Sequence, residues 1–241
     1  MKNILITGIS KGLGLELARI LLKQRYKVFG INRTISDELK KLKEKYGEKL
    51  NIKMFDLTDS KKSKELLLGD FINLDTPLHG FVNNAAIAYD DIVTNINYGK
   101  LENMYKVNVF TPMILTKYVI RNMLLHNIKG SIIHVSSISV HTGYKGLAMY
   151  ASTKGALEAF SKNTAREWGI KGIRSNSLVA GFMETSMSSK LDDEQKDRIY
   201  KRTSLKIPTD ITSVANTIEF LLSEKSNSIT GQNIFVDSGT I

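Results

Sequence analysis

Tyr150 and Lys154 lie four residues apart, Ser137 stands thirteen residues before Tyr150, and Gly8, Gly12 and Gly14 follow the first apolar run of the chain. Residues i and i+4 share one face of a helix, so this spacing sets an ammonium beside a phenol. A nearby cation favours the phenolate. Ionising a tyrosine of pKa about 10 at pH 7 costs roughly 4 kcal/mol, at about 1.36 kcal/mol per unit, so a neighbouring positive charge is what lets a phenol exchange protons. The pair alone is a weak signal in a chain rich in Tyr and Lys. Its weight comes from its neighbours and their order.

The first neighbour is the glycine turn. Met1 to Thr7 reads as a short buried strand, and Leu13, Leu17, Ile20, Leu21 and Leu22 recur at helical spacing. The turn between them, Gly8-Ile9-Ser10-Lys11-Gly12-Leu13-Gly14, lies where a phosphate meets a helix N-terminus. Glycine there permits a tight turn and close approach of backbone to a pyrophosphate. Thr7, Gly8, Ser10, Lys11, Gly12, Leu13 and Gly14 are therefore candidate cofactor residues. A second strand, Lys27 to Ile31, ends in Asn32-Arg33 about twenty residues after the glycines. An acidic residue at that point would bind the ribose 2′-hydroxyl of NAD, whereas Arg suits the 2′-phosphate of NADP. Arg33 is present and no Asp or Glu occurs before Asp37, so NADP(H) is expected, with Lys11 as a second positive contact.

The elements that must position these groups alternate along the chain. Asn51 to Phe55, Gly80 to Asn83, Ser131 to Ser136, Ile173 to Val179 and Gln232 to Val236 are short strand candidates separated by helical stretches. This predicts an α/β fold, a Rossmann-like doubly wound parallel sheet with helices on both faces. Ligands then bind at the edge formed by the C-terminal ends of the strands. That edge collects Asp56-Leu57-Thr58, Asn83-Asn84-Ala85-Ala86, Ser136-Ser137 and Ala180-Gly181. A long apolar helix is expected from Leu101 to Leu125, interrupted by Asn108, a poor helix former that needs a partner if buried.

At 241 residues and 42% hydrophobic, with no Pro- or Ser-rich linker, residues 1–241 read as a single domain. The absence of Cys removes disulfides, thiolate nucleophiles and Cys-ligated zinc. His79, His126, His134 and His141 have no ligand spacing, so no metal site is expected. No secretory signal or membrane span is apparent, and a cytoplasmic protein is expected. The net charge of +10 comes with dispersed lysines and no nucleic-acid motif. The densest run, Lys40 to Lys45, carries Leu39 and Leu42 at helical spacing, as a solvated helix face does.

Along almost its whole length the chain resembles the single-domain branch of the short-chain dehydrogenase/reductase family. The resemblance rests on Thr7-Gly8-x-x-x-Gly12-x-Gly14, Asp56-Leu57, Asn83-Asn84-Ala85, Asn108, Ser137, Tyr150-x-x-x-Lys154, Asn176 and Thr185, in the order and approximate spacing of that family. It implies that Asp56, with Leu57 beside it, contacts the adenine, that Asn83 to Ala85 line the adenosine ribose, and that Thr185 holds the nicotinamide carboxamide, with Gly181 in the cofactor set. It also implies a catalytic tetrad. Ser137 donates to the substrate carbonyl oxygen, Tyr150 exchanges the proton, Lys154 lowers the Tyr150 pKa and grips the nicotinamide ribose, and Asn108 orders a water leading to solvent. Three positions depart from the family pattern: Ala86 replaces a Gly, Ala180 replaces a Pro and Ser238 replaces a Gly. Related enoyl reductases separate Tyr and Lys by six residues, so three intervening residues favour carbonyl over carbon–carbon double-bond chemistry.

The implied activity is NADPH-dependent carbonyl reduction, with 3-oxoacyl-acyl-carrier-protein as the foremost substrate and Lys129 and Lys171 as docking residues for an acidic carrier. Reduction or oxidation of a sugar, polyol or specialised-metabolite ketone is the alternative. A non-catalytic NADP-sensing protein is a further one, although a sensor has no need of Ser137 or Tyr150. Phe182 to Leu205, with Phe182, Met183, Met187, Leu191, Ile199 and Tyr200 among charges, reads as an amphipathic lid or as an ordinary surface helix. His141 and Tyr144 are placed to face the substrate. Ala151, Gly155 and Ala159 form a small-residue stripe suited to close helix packing, either on the chain's own sheet or, as the resemblance implies, across a subunit interface, and a homotetramer is expected.

Overall fold

A computed structural model describes residues 1–69, 71–185 and 192–240. Seven parallel strands form one sheet: β1 (Asn3–Thr7), β2 (Lys27–Asn32), β3 (Leu50–Met54), β4 (Gly80–Asn83), β5 (Ser131–Ser137), β6 (Arg174–Ala180) and β7 (Asn233–Val236). Their order is β3-β2-β1-β4-β5-β6-β7, so the direction of winding reverses between β1 and β4. A crevice opens at such a reversal, outside the carboxyl ends of the strands. The strands expected from the sequence are all present, with ends displaced by at most two residues.

Alternation along the central strands divides the interior into two cores. Ile4, Ile6, Val82, Ile133, Val135 and Leu178 face one side, where they meet α1 (Gly12–Lys23) and α9 (Ile211–Leu222). Leu5, Phe81 and Ile132 face the other, against α3 (Ser63–Leu68) and α5 (Thr111–Leu125). Such two-sided burial is why these strands read as continuous apolar runs. The lysine-rich segment forms α2 (Asp37–Tyr46), with Leu39 and Leu42 buried. Ser36 caps it by accepting from the Leu39 N–H, while Asp37 and Glu38 occupy its first turn and Lys43 and Lys45 its last. This charge arrangement opposes the helix dipole.

The segment expected as one helix from Leu101 to Leu125 is three pieces. α4 (Tyr98–Tyr105) runs into a π turn, Lys106–Phe110, and then into α5. Pro112 explains part of this: it has no N–H to offer the carbonyl of residue 108, four positions earlier. The remaining helices are α6 (Ser139–Thr142), α7 (Ala148–Trp168), which packs on β5 and β6, and α8 (Asp193–Tyr200).

Lys129 and Lys171 stand just before β5 and β6, at the amino-terminal edge of the sheet. Ser137, Tyr150 and the glycine turn lie at the opposite edge. Their expected docking role therefore concerns a surface at the edge opposite the glycine turn.

Arg174 ties the start of β6 to the end of α9. Its guanidinium donates to the carbonyls of Leu221 at 2.8 Å, Ile229 at 3.1 Å and Ser223 at 3.3 Å, placing a cation where a helix presents orphan acceptors. Arg174→Met is expected to lower the free energy of unfolding in urea by about 2–4 kcal/mol, since it leaves buried carbonyls without their charged donor. A change below about 1 kcal/mol would show that solvent replaces the guanidinium.

Candidate active site

The glycine turn is shaped from within the chain. Gly8 and Gly12 have φ of +77° and +56°, in the left-handed region that favours glycine. A Cβ on Gly14 would lie 2.0 Å from the Gly8 carbonyl oxygen, so only glycine fits there. Thr7 is fully buried, and its hydroxyl accepts from the backbone N–H groups of Asn84 at 3.1 Å and Ala85 at 3.0 Å. Asn84 Nδ2 donates to the carbonyls of Thr7 and Gly8, both at 3.0 Å. Thr7, Asn83 and Asn84 thus bind the glycine turn to the end of β4, and these side chains spend hydrogen bonds on the shape of the crevice. Leu13 is buried beneath it in the core.

On the β2 side, Asn32 Oδ1 accepts from the Ile9 N–H at 2.9 Å, while its Nδ2 is buried and finds no partner among the described residues. Arg33 and Lys11 are exposed above it. Asp37 forms an exposed pair with Lys40 at 2.9 Å. Asp56 Oδ1 accepts from the N–H and hydroxyl of Thr58, which, with Arg33 nearby, hold its carboxyl below the usual range. The Leu57 carbonyl accepts from the Thr111 hydroxyl at 2.6 Å. Across the crevice, a Cβ on Gly12 would lie 3.8 Å from Thr185 Cγ2, so the turn and Thr185 face one another. Gly181 meets a different demand: a Cβ there would collide with Thr209 Oγ1 at 2.2 Å and with the Asp237 backbone. A small residue at 181 therefore serves packing against the end of β7.

Beside this turn, α7 brings up Tyr150 and Lys154. Lys154 is only 2% exposed, and its Nζ donates to the Val135 carbonyl at 2.8 Å and lies 5.6 Å from the centre of the Tyr150 ring. Burial draws its pKa down to about 8. The effect on Tyr150 differs from the expectation. Loss of solvent around the phenol, followed by the negative charge of Asp90, pushes the Tyr150 pKa above its ordinary value. In the chain alone the phenol keeps its proton. His134, fully buried behind them, is pushed down to about 3 by burial and by Lys154, and stays neutral.

Asn108 is 1% exposed within the π turn, and its amide is satisfied at both ends. Oδ1 accepts from the Ile87 N–H at 2.9 Å, and Nδ2 donates to the Ile87 carbonyl at 2.9 Å and to Thr153 Oγ1 at 3.1 Å. The Thr153 hydroxyl in turn donates to the Tyr150 carbonyl at 2.7 Å. A π turn commonly marks a functional position in a helix. Here it lets one side chain join the loop after β4 to the turn of α7 that carries Tyr150. Thr153 was not evident from the sequence; a Thr one residue before a candidate Lys is the only signal that pointed to it.

Ser137 ends β5 on the same edge and is tied to Ser139. His141 bonds to Glu158, and its ring meets Phe235 edge-on at 4.8 Å, so it turns towards β7. Gly155 packs beside Val140, leaving Ala159 as the exposed member of the small-residue stripe. In the expected lid, the rings of Phe182 and Tyr200 lie 6.0 Å apart, and Tyr200 donates to Glu184. Met183 packs on the core. α8 begins with a capping box between Asp192 and Gln195. Met187 and Leu191 lie outside the described residues.

The Lys154 ammonium has a measurable cost. The unfolded chain holds this proton up to a pKa near 10.5 and the folded chain only to about 8. Below pH 8 both states are charged and the fold carries the full penalty; between 8 and 10.5 the folded state sheds the proton first and gains relative stability. Lys154→Met is therefore expected to raise the unfolding free energy at pH 7 by about 2–3 kcal/mol, an advantage that shrinks as pH rises towards 10.5. A Met variant less stable at pH 7, or an advantage independent of pH, would contradict this.

Comparison with known proteins agrees with the geometry. Residues 8–240 match the family described as "Enoyl-(Acyl carrier protein) reductase". The chain is 30% identical over 240 residues to L-xylulose reductase of Caenorhabditis elegans, covering 99% of this chain and 95% of that protein. It is 32% identical over 243 residues to the 3-oxoacyl-[acyl-carrier-protein] reductase FabG of Rickettsia bellii, covering 100% and 97%. Among solved structures, ElxO with NADP bound superposes with a TM-score of 0.87 at 28% identity, covering 99% of this chain and 98% of that one. A parallel sheet with a glycine turn after its first strand, Tyr150 and Lys154 together on α7 over β5, and full-length kinship with such reductases establish that the chain belongs to the short-chain dehydrogenase/reductase family of oxidoreductases, which act on alcohol and carbonyl groups.

Proposed function

We propose that this protein is an NADPH-dependent carbonyl reductase whose substrate is a 3-oxoacyl thioester carried on acyl carrier protein. The observation that supports the reductase reading is the Lys154 ammonium on α7, which lies 5.6 Å from the Tyr150 ring and bonds the Val135 carbonyl, two residues before Ser137 on β5. The cofactor fits this chain: Gly8, Gly12 and Gly14 form a tight turn at the N-terminus of α1, where a pyrophosphate would sit, Asn32 offers an unused buried donor, and Arg33 and Lys11 are exposed where a 2′-phosphate would stand. The NADP bound to ElxO supports the same choice. Asp56, Leu57, Asn83 to Ala85, Gly181 and Thr185 complete the proposed cofactor set.

When bound, the nicotinamide supplies a hydride to the carbonyl carbon. As that carbon is reduced, negative charge grows on oxygen, where the Ser137 hydroxyl stabilises it by donating a hydrogen bond. Tyr150, kept protonated by its surroundings, delivers the phenolic proton to that oxygen and so completes the alcohol. The Lys154 ammonium stabilises the phenolate left behind and is placed to hold the nicotinamide ribose. Asn108 holds the loop at Ile87 and, through Thr153, the turn carrying Tyr150, and in this reading it orders a water that connects Lys154 to solvent. The family description speaks of enoyl reduction, but three residues between Tyr150 and Lys154 support carbonyl chemistry.

The thioester rests on the similarity to FabG and on the chain's net charge of +10, which attracts an acidic carrier. The similarity to L-xylulose reductase supports a second reading, in which the ketone belongs to a sugar. We further propose a single domain over residues 1–241, acting as a homotetramer in the cytoplasm. Among the described residues no helix is long and apolar enough to cross a membrane.

Tyr150→Phe is expected to lower kcat at least about 100-fold while leaving the Kd for NADPH, read by fluorescence titration, within about twofold. Unchanged turnover would remove Tyr150 as the proton donor. Lost turnover together with lost binding would make its role one of cofactor retention.

A further inference from the structure

Ser137 Oγ accepts two hydrogen bonds, from the Ser139 N–H at 3.2 Å and from the Ser139 hydroxyl at 3.0 Å. A serine oxygen has two acceptor positions and one proton, so filling both acceptor positions leaves only the proton for a ligand. A ketone oxygen is an acceptor and requires that proton. Ser139 is 4% exposed, shielding the bond from competing water. A donor bonded to a hydroxyl oxygen also polarises its O–H and strengthens its donation.

The turn that holds this pair is anchored on both sides to one carboxylate. Glu158, on α7 and 6% exposed, accepts from the Ser136 hydroxyl and the Asn233 amide, the latter at 2.7 Å, and bonds His141 Nε2 at 3.1 Å. Ser136 precedes the pair and His141 follows it. The Ile138 N–H between them donates to the Ala180 carbonyl at 2.9 Å. The segment from 136 to 141 is thus fixed to α7, β6 and β7, and the Ser139 hydroxyl is directed at Ser137.

We propose that Ser139 is a positioning residue that commits Ser137 to donating, and so tunes the site for a carbonyl oxygen. This rests on the reductase reading. The test is a double-mutant cycle on ketone reduction with NADPH, comparing the unsubstituted protein with Ser139→Ala, Ser137→Ala and the double variant, and with Ser139→Thr as the conservative control. Ser139→Ala is expected to lower kcat about tenfold with KM and NADPH affinity held within about twofold, and Ser139→Thr to restore most of the rate. Once Ser137 is Ala, removing the Ser139 hydroxyl is expected to change kcat by less than about twofold, because it has nothing left to act through. An equal penalty in both backgrounds, or no penalty in either, overturns the proposal and leaves the reductase reading intact. An unsubstituted protein that turns over no ketone overturns both.

Discussion

The bond from the Lys154 ammonium to the Val135 carbonyl is the constraint on which the site depends. A cation with 2% exposure is costly, and the fall of its pKa to about 8 expresses that cost. The bond crosses from α7 to β5, so it sets the height of the helix over the sheet. Tyr150, one turn earlier on the same helix, is placed relative to Ser137, two residues beyond Val135 on the same strand. The surroundings shift the two groups in opposite directions: burial raises the Tyr150 pKa and draws that of Lys154 down to about 8. Titratable groups whose environments drive them apart are what proton transfer requires.

Two hydrogen-bond assemblies extend this constraint outward. Asn108 joins Ile87 to Thr153, so the loop after β4 and the Tyr150 turn share one anchor, made available by the π turn. On the far side, Glu158 joins the end of β5, the start of α6 and β7. The glycine turn has its own lock in the Thr7 hydroxyl and the Asn84 amide. Each assembly is buried or partly buried; Asn108, Thr7 and Asn84 bond backbone, whereas Glu158 gathers side chains. Such bonds hold a site rigid because breaking one strands a polar group away from water.

Much of the fold was legible because it follows from local pattern. The glycine turn lay between an apolar run and a helical repeat, the strands alternated with helices, and the Tyr150–Lys154 spacing declared one helix face. What escaped was set by long-range contact or by backbone detail. Glu158 bonds Asn233 seventy-five residues away, and no local periodicity reports that. The π turn has a trace in Pro112, which withholds an N–H from residue 108, yet Pro112 also starts α5 in the ordinary way. Thr7 read as part of a phosphate turn, whereas full burial turns its hydroxyl inward. The position of Lys129 and Lys171 was implicit in the strand assignments, since residues before a strand lie at the edge away from the ligand crevice.

In the proposed reaction, Ser137, Tyr150 and Lys154 act on a carbonyl beside bound NADPH. The most direct measurement is oxidation of NADPH, with NADH in parallel, by the unsubstituted protein against a 3-oxoacyl thioester, a pentulose and an aromatic ketone. Turnover of the thioester above the other ketones, with NADPH preferred, is the predicted result. Binding of NADPH with no turnover of any ketone would contradict the account and make the chain a nucleotide-binding protein that does not catalyse.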